Sequence, residues 1–215
     1  MTATPDMPVL HGYFRSTAAY RVRIALNLKR VAWCDAFHHL RHGEQRAPAY
    51  LRLNPQGLVP ALEWEGAVLT QSLAICEYLD ERIPAPPLLP ANPVVRAHVR
   101  AFAQVIACDT HPVQNLRVLQ RLRAARLDEA AVNGWARDTI TDGLSACNAL
   151  IADRDGPYCF GTQVTLADLC LIPQLFNARR FGVELAWPRL LAVEAACLAL
   201  PAFADAAPER QPDAE

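Results

Sequence analysis

The chain has 215 residues, enough to bury a substantial core in one large domain or two small ones. Hydrophobic residues make up 52% and charged residues 20%, a balance that excludes a disordered chain. With 21 basic against 22 acidic residues, no global field draws it to nucleic acid or to an anionic membrane, so any anion site must be local.

The opening MTATPDMPVL lacks a basic segment followed by a long apolar core and does not read as a secretory leader. No apolar run is long enough to span a bilayer, since Leu190 to Phe203 is short and carries Glu194 and Pro201. A soluble, cytoplasmic protein with no membrane partner is expected. The seven cysteines are scattered and never form a C-x-x-C pair, the close spacing that metal and dithiol centres need. They read as small buried hydrophobes in a reducing compartment, and no metal site is expected.

In chain order, Val9 to Tyr13 is a strand candidate and Ser16 to Lys29 a helix. Ala32 to Leu40 contains a second strand, and a polar stretch runs to Asn54-Pro55. Val59 to Trp64 and Ala67 to Thr70 flank a hairpin turn at Glu65-Gly66, and Ser72 to Arg82 is helical. This is a small α/β unit with a mixed sheet. Residues 83 to 93, IPAPPLLPANP, contain five prolines and mark a linker. Beyond it, apolar spacing predicts helices over Val94 to Leu122, Asp128 to Ala152, from Thr165, and over Pro188 to Leu200, with a frayed tail APERQPDAE. The expected domains are 1–83, a linker at 84–93, and a helical 94–215.

Three helix starts differ. Val164-Thr165-Leu166-Ala167-Asp168-Leu169 reads as a capping box with a hydrophobic staple, a structural device. Ser16 and Ser72 open helices too, but Ala19 and Ile75 stand three residues on, so no acid folds back onto either first turn. Both ends keep N–H groups and partial positive charge toward which an anion can dock, or which water satisfies.

Residues 14 to 29, FRSTAAYRVRIALNLK, resemble the signature of zeta-class glutathione transferases, the maleylacetoacetate isomerases. Asn54 to Leu62, NPQGLVPAL, is similar to the family's loop ending in a cis-proline, and Gln71-Ser72-Leu73-Ala74-Ile75 to its γ-glutamyl-binding turn. Cys108 to Pro112 with Asn115 and Arg117 resembles its second-domain active-site helix, and Gln174, Asn177, Arg179, Arg180 and Phe181 a further patch. The chain departs from animal members at Ala18, where they carry Cys, and at Thr17, where Ser is usual. It also has Lys29-Arg30 where relatives commonly have Gly.

The resemblance implies an α/β N-terminal thioredoxin-like domain plus an all-α C-terminal helical domain, the glutathione transferase fold, assembled as a homodimer. It implies glutathione as coenzyme and cis–trans isomerisation of a small dicarboxylate substrate, maleylacetoacetate or maleylpyruvate. Conjugation or dehalogenation of α-haloacids and a non-catalytic glutathione-binding module are the other readings. The family's glutathione-binding residues carry over to Ser16, Gln45, Val59, Pro60, Gln71 and Ser72. Ser16, or alternatively Thr17, is the expected hydroxyl donor to the sulfur, and Arg15 its catalytic neighbour. Arg15, Arg117 and Arg180 are the expected carboxylate clamps, because a guanidinium fork suits a carboxylate. Asp109 either binds the glutathione amine or caps its helix, and His111 polarises the substrate, touches glutathione or serves structure. Arg21 and Arg23 read as solvated polar positions on an apolar helix. His38, His39 and His42 receive no role.

Overall fold

The computed structural model describes residues 7–215; the leader reading of the opening segment falls largely on the first six, outside the described residues. The chain packs as two compact units. One runs to Leu88 and takes in Ala199–Glu215; the other is Leu89–Leu198.

In the first unit, β1 (Val9–Gly12) leads through Ser16 into α1 (Thr17–Leu28), and β2 (Cys34–Phe37) follows. A short α2 (Pro48–Leu53) lies where the sequence reads as a polar loop. Then come β3 (Ala61–Trp64), β4 (Ala67–Thr70) and α3 (Ser72–Arg82). The sheet order is β2-β1-β3-β4, with β1 parallel to β2 and antiparallel to β3, and β3 antiparallel to β4. The β3–β4 turn takes left-handed φ at Glu65 (50°) and Gly66 (78°), as a tight hairpin requires.

Every residue of α1 from Thr17 to Leu26 is buried, and the helix packs against α3. Arg21 and Arg23 are therefore not solvated, which corrects the sequence expectation. Their exposures are 1% and 3%. Arg23 donates to Ala206 O and Phe14 O, both at 3.0 Å, and burial pulls its pKa down to about 10. After α1, Arg30 adopts a left-handed φ of 55°, a conformation that favours glycine.

The tail is likewise not frayed. Pro201–Ala204 forms one helical turn, and Tyr20, Asn27 and Arg23 of α1 bond the carbonyls of Phe203, Ala202 and Ala206. Gln211 donates to Asp205 O and Ala207 O, and Asp213 accepts the Phe14 N–H at 2.9 Å. The segment 199–215 thus groups with the first unit, away from the 94–215 span expected of the helical domain.

The second unit contains α4 (Pro93–Gln104), capped by Asn92 and continued by a π-helical turn, Val105–Thr110. The helix expected through Leu122 breaks near Pro112, and α5 (Leu116–Ala124) restarts under an Asn115 cap. Next are α6 (Glu129–Leu150), α7 (Leu166–Arg180) and α8 (Pro188–Leu198). Asp168, wholly buried, accepts from Thr165 N, Thr165 Oγ and Cys159 N at 2.7, 3.0 and 2.8 Å. The capping box is present. Among the described residues no helix is long and apolar enough to cross a membrane, and no group of three or more His, Cys, Asp or Glu is arranged to hold a metal ion.

Candidate active site

Sheet register collects the candidate loops of the first unit. His11 pairs with Ala61, Ala61 with Thr70, and Gly12 with Phe37. The segments that follow β1, precede β3 and follow β4 therefore leave the sheet at the same end, and so does the chain after β2. That end carries Arg15, Ser16, Val59, Pro60, Gln71 and Ser72. Carboxyl ends of strands are where α/β sheets hold ligands.

At the start of α1, Tyr13 and Phe14 are buried and pack in one cluster with Tyr50, Val59 and Ala61. Arg15 and Ser16 are half-buried. The Ser16 Oγ accepts the Ala19 N–H at 3.2 Å, so the hydroxyl is an N-cap as well as a candidate donor. Its proton is not committed by that bond, and α1 has no acid in its first turn. Thr17 is 4% exposed and its Oγ1 is buried with no hydrogen-bond partner. The Arg15 guanidinium lies 4.9 Å from the Phe14 ring centroid and donates to the Tyr13 hydroxyl at 3.1 Å. Glu215 pairs with it at 3.5 Å and also bonds His39.

At the start of α3, Gln71 takes a left-handed φ of 69° and makes no side-chain cap bond. Ser72, the first helical residue, is buried, and its Oγ accepts from Arg21 Nη1 at 3.2 Å. The Val59–Pro60 peptide is cis. Just before it, Leu58 O accepts from the Tyr50 hydroxyl at 2.6 Å and from Asn54 Nδ2 at 2.7 Å, which braces the loop. Gln45 donates to Leu40 O at 3.3 Å, while its Oε1 is buried without a partner.

Below this end lies a polar chain absent from the sequence reading. Glu63 bonds His11 Nε2 at 2.7 Å, and His11 Nδ1 meets His38 Nε2 at 2.9 Å. The Tyr50 ring packs on His38, and burial, aided by His11, lowers the His38 pKa. Asp213 and Glu215 also escaped the sequence reading, which took Arg21 for solvated and gave His39 no role. The one signal available was for Arg21: a helix apolar on all sides is a buried helix, so its arginines are buried too.

The remaining candidates belong to the second unit. Asp109 is exposed on the π-helical turn and His111 is half-buried just after it. Arg117 is exposed in the first turn of α5. Arg180, exposed at the end of α7, donates to Asn177 Oδ1 at 3.0 Å.

A thioredoxin-like α/β unit paired with an all-helical one is the architecture of glutathione transferases. The glutathione S-transferase N-terminal domain family matches residues 15–82 and its C-terminal domain family residues 117–196. A maleylacetoacetate isomerase of Pseudomonas aeruginosa is 49% identical over 208 residues, 95% of this chain and 97% of that one. A solved maleylpyruvate isomerase, described as a bacterial zeta-class glutathione S-transferase, superposes with a TM-score of 0.94 at 46% identity, covering 96% of this chain and all of its own (100%). A maleylacetoacetate isomerase from Methylobacterium extorquens AM1, solved with bound malonate and GSH, gives a TM-score of 0.93 at 42% identity, covering 96% and 99%. The chain belongs to the glutathione S-transferase family, in its zeta class.

Proposed function

We propose that the chain is a glutathione-dependent cis–trans isomerase that converts maleylacetoacetate to fumarylacetoacetate. The observation that carries this is Ser16, whose half-buried hydroxyl keeps its proton at the acid-free start of α1 beside Arg15, in a chain 49% identical to a maleylacetoacetate isomerase. The residues present fit glutathione: the start of α3 has no side-chain cap, and Arg21 on Ser72 Oγ adds positive charge behind it, a donor set for a carboxylate. Gln45, the Val59 backbone, Pro60, Gln71 and Ser72 would hold the tripeptide, and Asp109 and His111 are assigned to it as well. When bound, glutathione supplies a thiolate whose reversible addition to a conjugated double bond lets that bond rotate.

This chain's part is to keep the sulfur anionic and the acid oriented. A free thiol has a pKa of about 8.5, so little is ionised at neutral pH. The α1 dipole favours an adjacent anion by roughly 0.3–2 kcal/mol. A hydroxyl donated to a charged partner adds about 1.5–3 kcal/mol. With about 1.36 kcal/mol per pKa unit, the two together lower the thiol by roughly one to four units. The burial of Thr17 Oγ1 supports Ser16 over Thr17 for this task. Arg15 holds a substrate carboxylate, with Arg117 and Arg180 as further carboxylate ligands. The protein acts as a homodimer in the cytoplasm.

Maleylpyruvate is the second reading, favoured by the 0.94 TM-score to a maleylpyruvate isomerase. A spectrophotometric assay of both acids, with and without glutathione, decides. Turnover of maleylacetoacetate that requires glutathione is expected; equal rates without it would reject the proposal.

A further inference from the structure

Arg21 is 1% exposed, and its Nε and Nη2 have no hydrogen-bond partner. No carboxylate among the described residues is paired with it. Its Nη1 donates to Ser72 Oγ at 3.2 Å. A guanidinium has donors and no acceptor, so the serine oxygen must accept, and the serine proton must be donated elsewhere. That proton sits on the first residue of an eleven-residue helix whose start lacks a side-chain cap, next to a residue held at a φ of 69°. A buried cation without a counter-ion is costly, and an arriving anion offsets that cost.

We propose that Arg21 is a positioning residue that makes this helix start selective for a ligand carboxylate, aligning the Ser72 hydroxyl from behind and supplying charge without touching the ligand. The proposal rests on the reading that glutathione's γ-glutamyl end docks at Gln71 and Ser72. The ligand property being selected is then the α-carboxylate of that glutamyl group.

Calorimetric titration of the full chain with glutathione and with 4-aminobutyryl-cysteinyl-glycine, which lacks only that carboxylate, tests it. The unmodified protein should prefer glutathione by about 10- to 100-fold. Arg21→Met should remove most of that preference while leaving affinity for the analogue unchanged. Weakening of both ligands by the same factor would mean that Arg21 only supports the fold, and an unchanged preference would also overturn the proposal. If Arg21→Met does not fold, Arg21→Gln keeps an N–H for Ser72 without the charge, and its preference should fall severalfold; no fall overturns the proposal. Should the unmodified protein bind both ligands equally, the docking of the γ-glutamyl carboxylate at Ser72 fails first, a result distinct from the Arg21 outcomes.

Discussion

At Ser16 one oxygen serves two purposes, since it accepts the Ala19 N–H and carries the proton assigned to the sulfur. Ser16→Ala is therefore expected to cost about 1 kcal/mol of stability through the lost cap. It should also slow turnover by about 10- to 100-fold through the lost charge-assisted bond. Thermal melting measures the first, and rates corrected for the folded fraction measure the second, alongside a raised pKa of bound glutathione. A rate that survives would transfer the role to backbone N–H groups of α1. Ser16 was legible as a capping serine without a following acid, which is a local pattern; its role toward a sulfur, and that of Arg15, rested on the family resemblance. Arg21 and Arg23 were misread because what satisfies them is not local: Arg23 bonds a carbonyl 183 positions away.

Elements announced by caps, apolar spacing and turn residues were legible, and α7 is the clearest. Its Thr165–Asp168 start is visible in six letters, and the structure adds a third donor, the Cys159 N–H, from outside that stretch. Burial pushes the Asp168 carboxyl up, while the N–H groups of Cys159 and Thr165 oppose that shift. Asp168→Ala would orphan these donors and should cost about 3 kcal/mol or more. Asp168→Asn keeps one acceptor and should cost less. Denaturant titration of both variants checks the order, and equal losses would refute it. The helix α2 was illegible because six residues with an N-terminal proline give too short a period to read. The break after Thr110 was missed for the opposite reason: apolar spacing continues across Pro112, whereas the backbone does not.

Across the molecule, the first unit is assembled from both ends of the described chain. Glu215 joins them at the candidate site through Arg15 and His39. Its carboxyl is held below the ordinary value of 4.5, first by the His39 hydrogen bond and then by the charges of His39, Arg15 and Arg41. A depressed carboxyl pKa stabilises the docked tail above the unfolded value and loses that contribution as pH falls through the folded one. Amide exchange at Phe14 and over 208–215, corrected for intrinsic rates, should therefore accelerate as the solution is acidified below pH 4.5. Unchanged protection there would show that Glu215 does not hold the tail. There is also a consequence for synthesis. The carbonyls that satisfy Arg23 and Tyr20 are translated only after residues 89–198 have been made. At about 5–20 residues per second, that is an interval of roughly 5–20 s on the ribosome. The unit begun first is finished last, and a buried guanidinium waits through that interval for its acceptor.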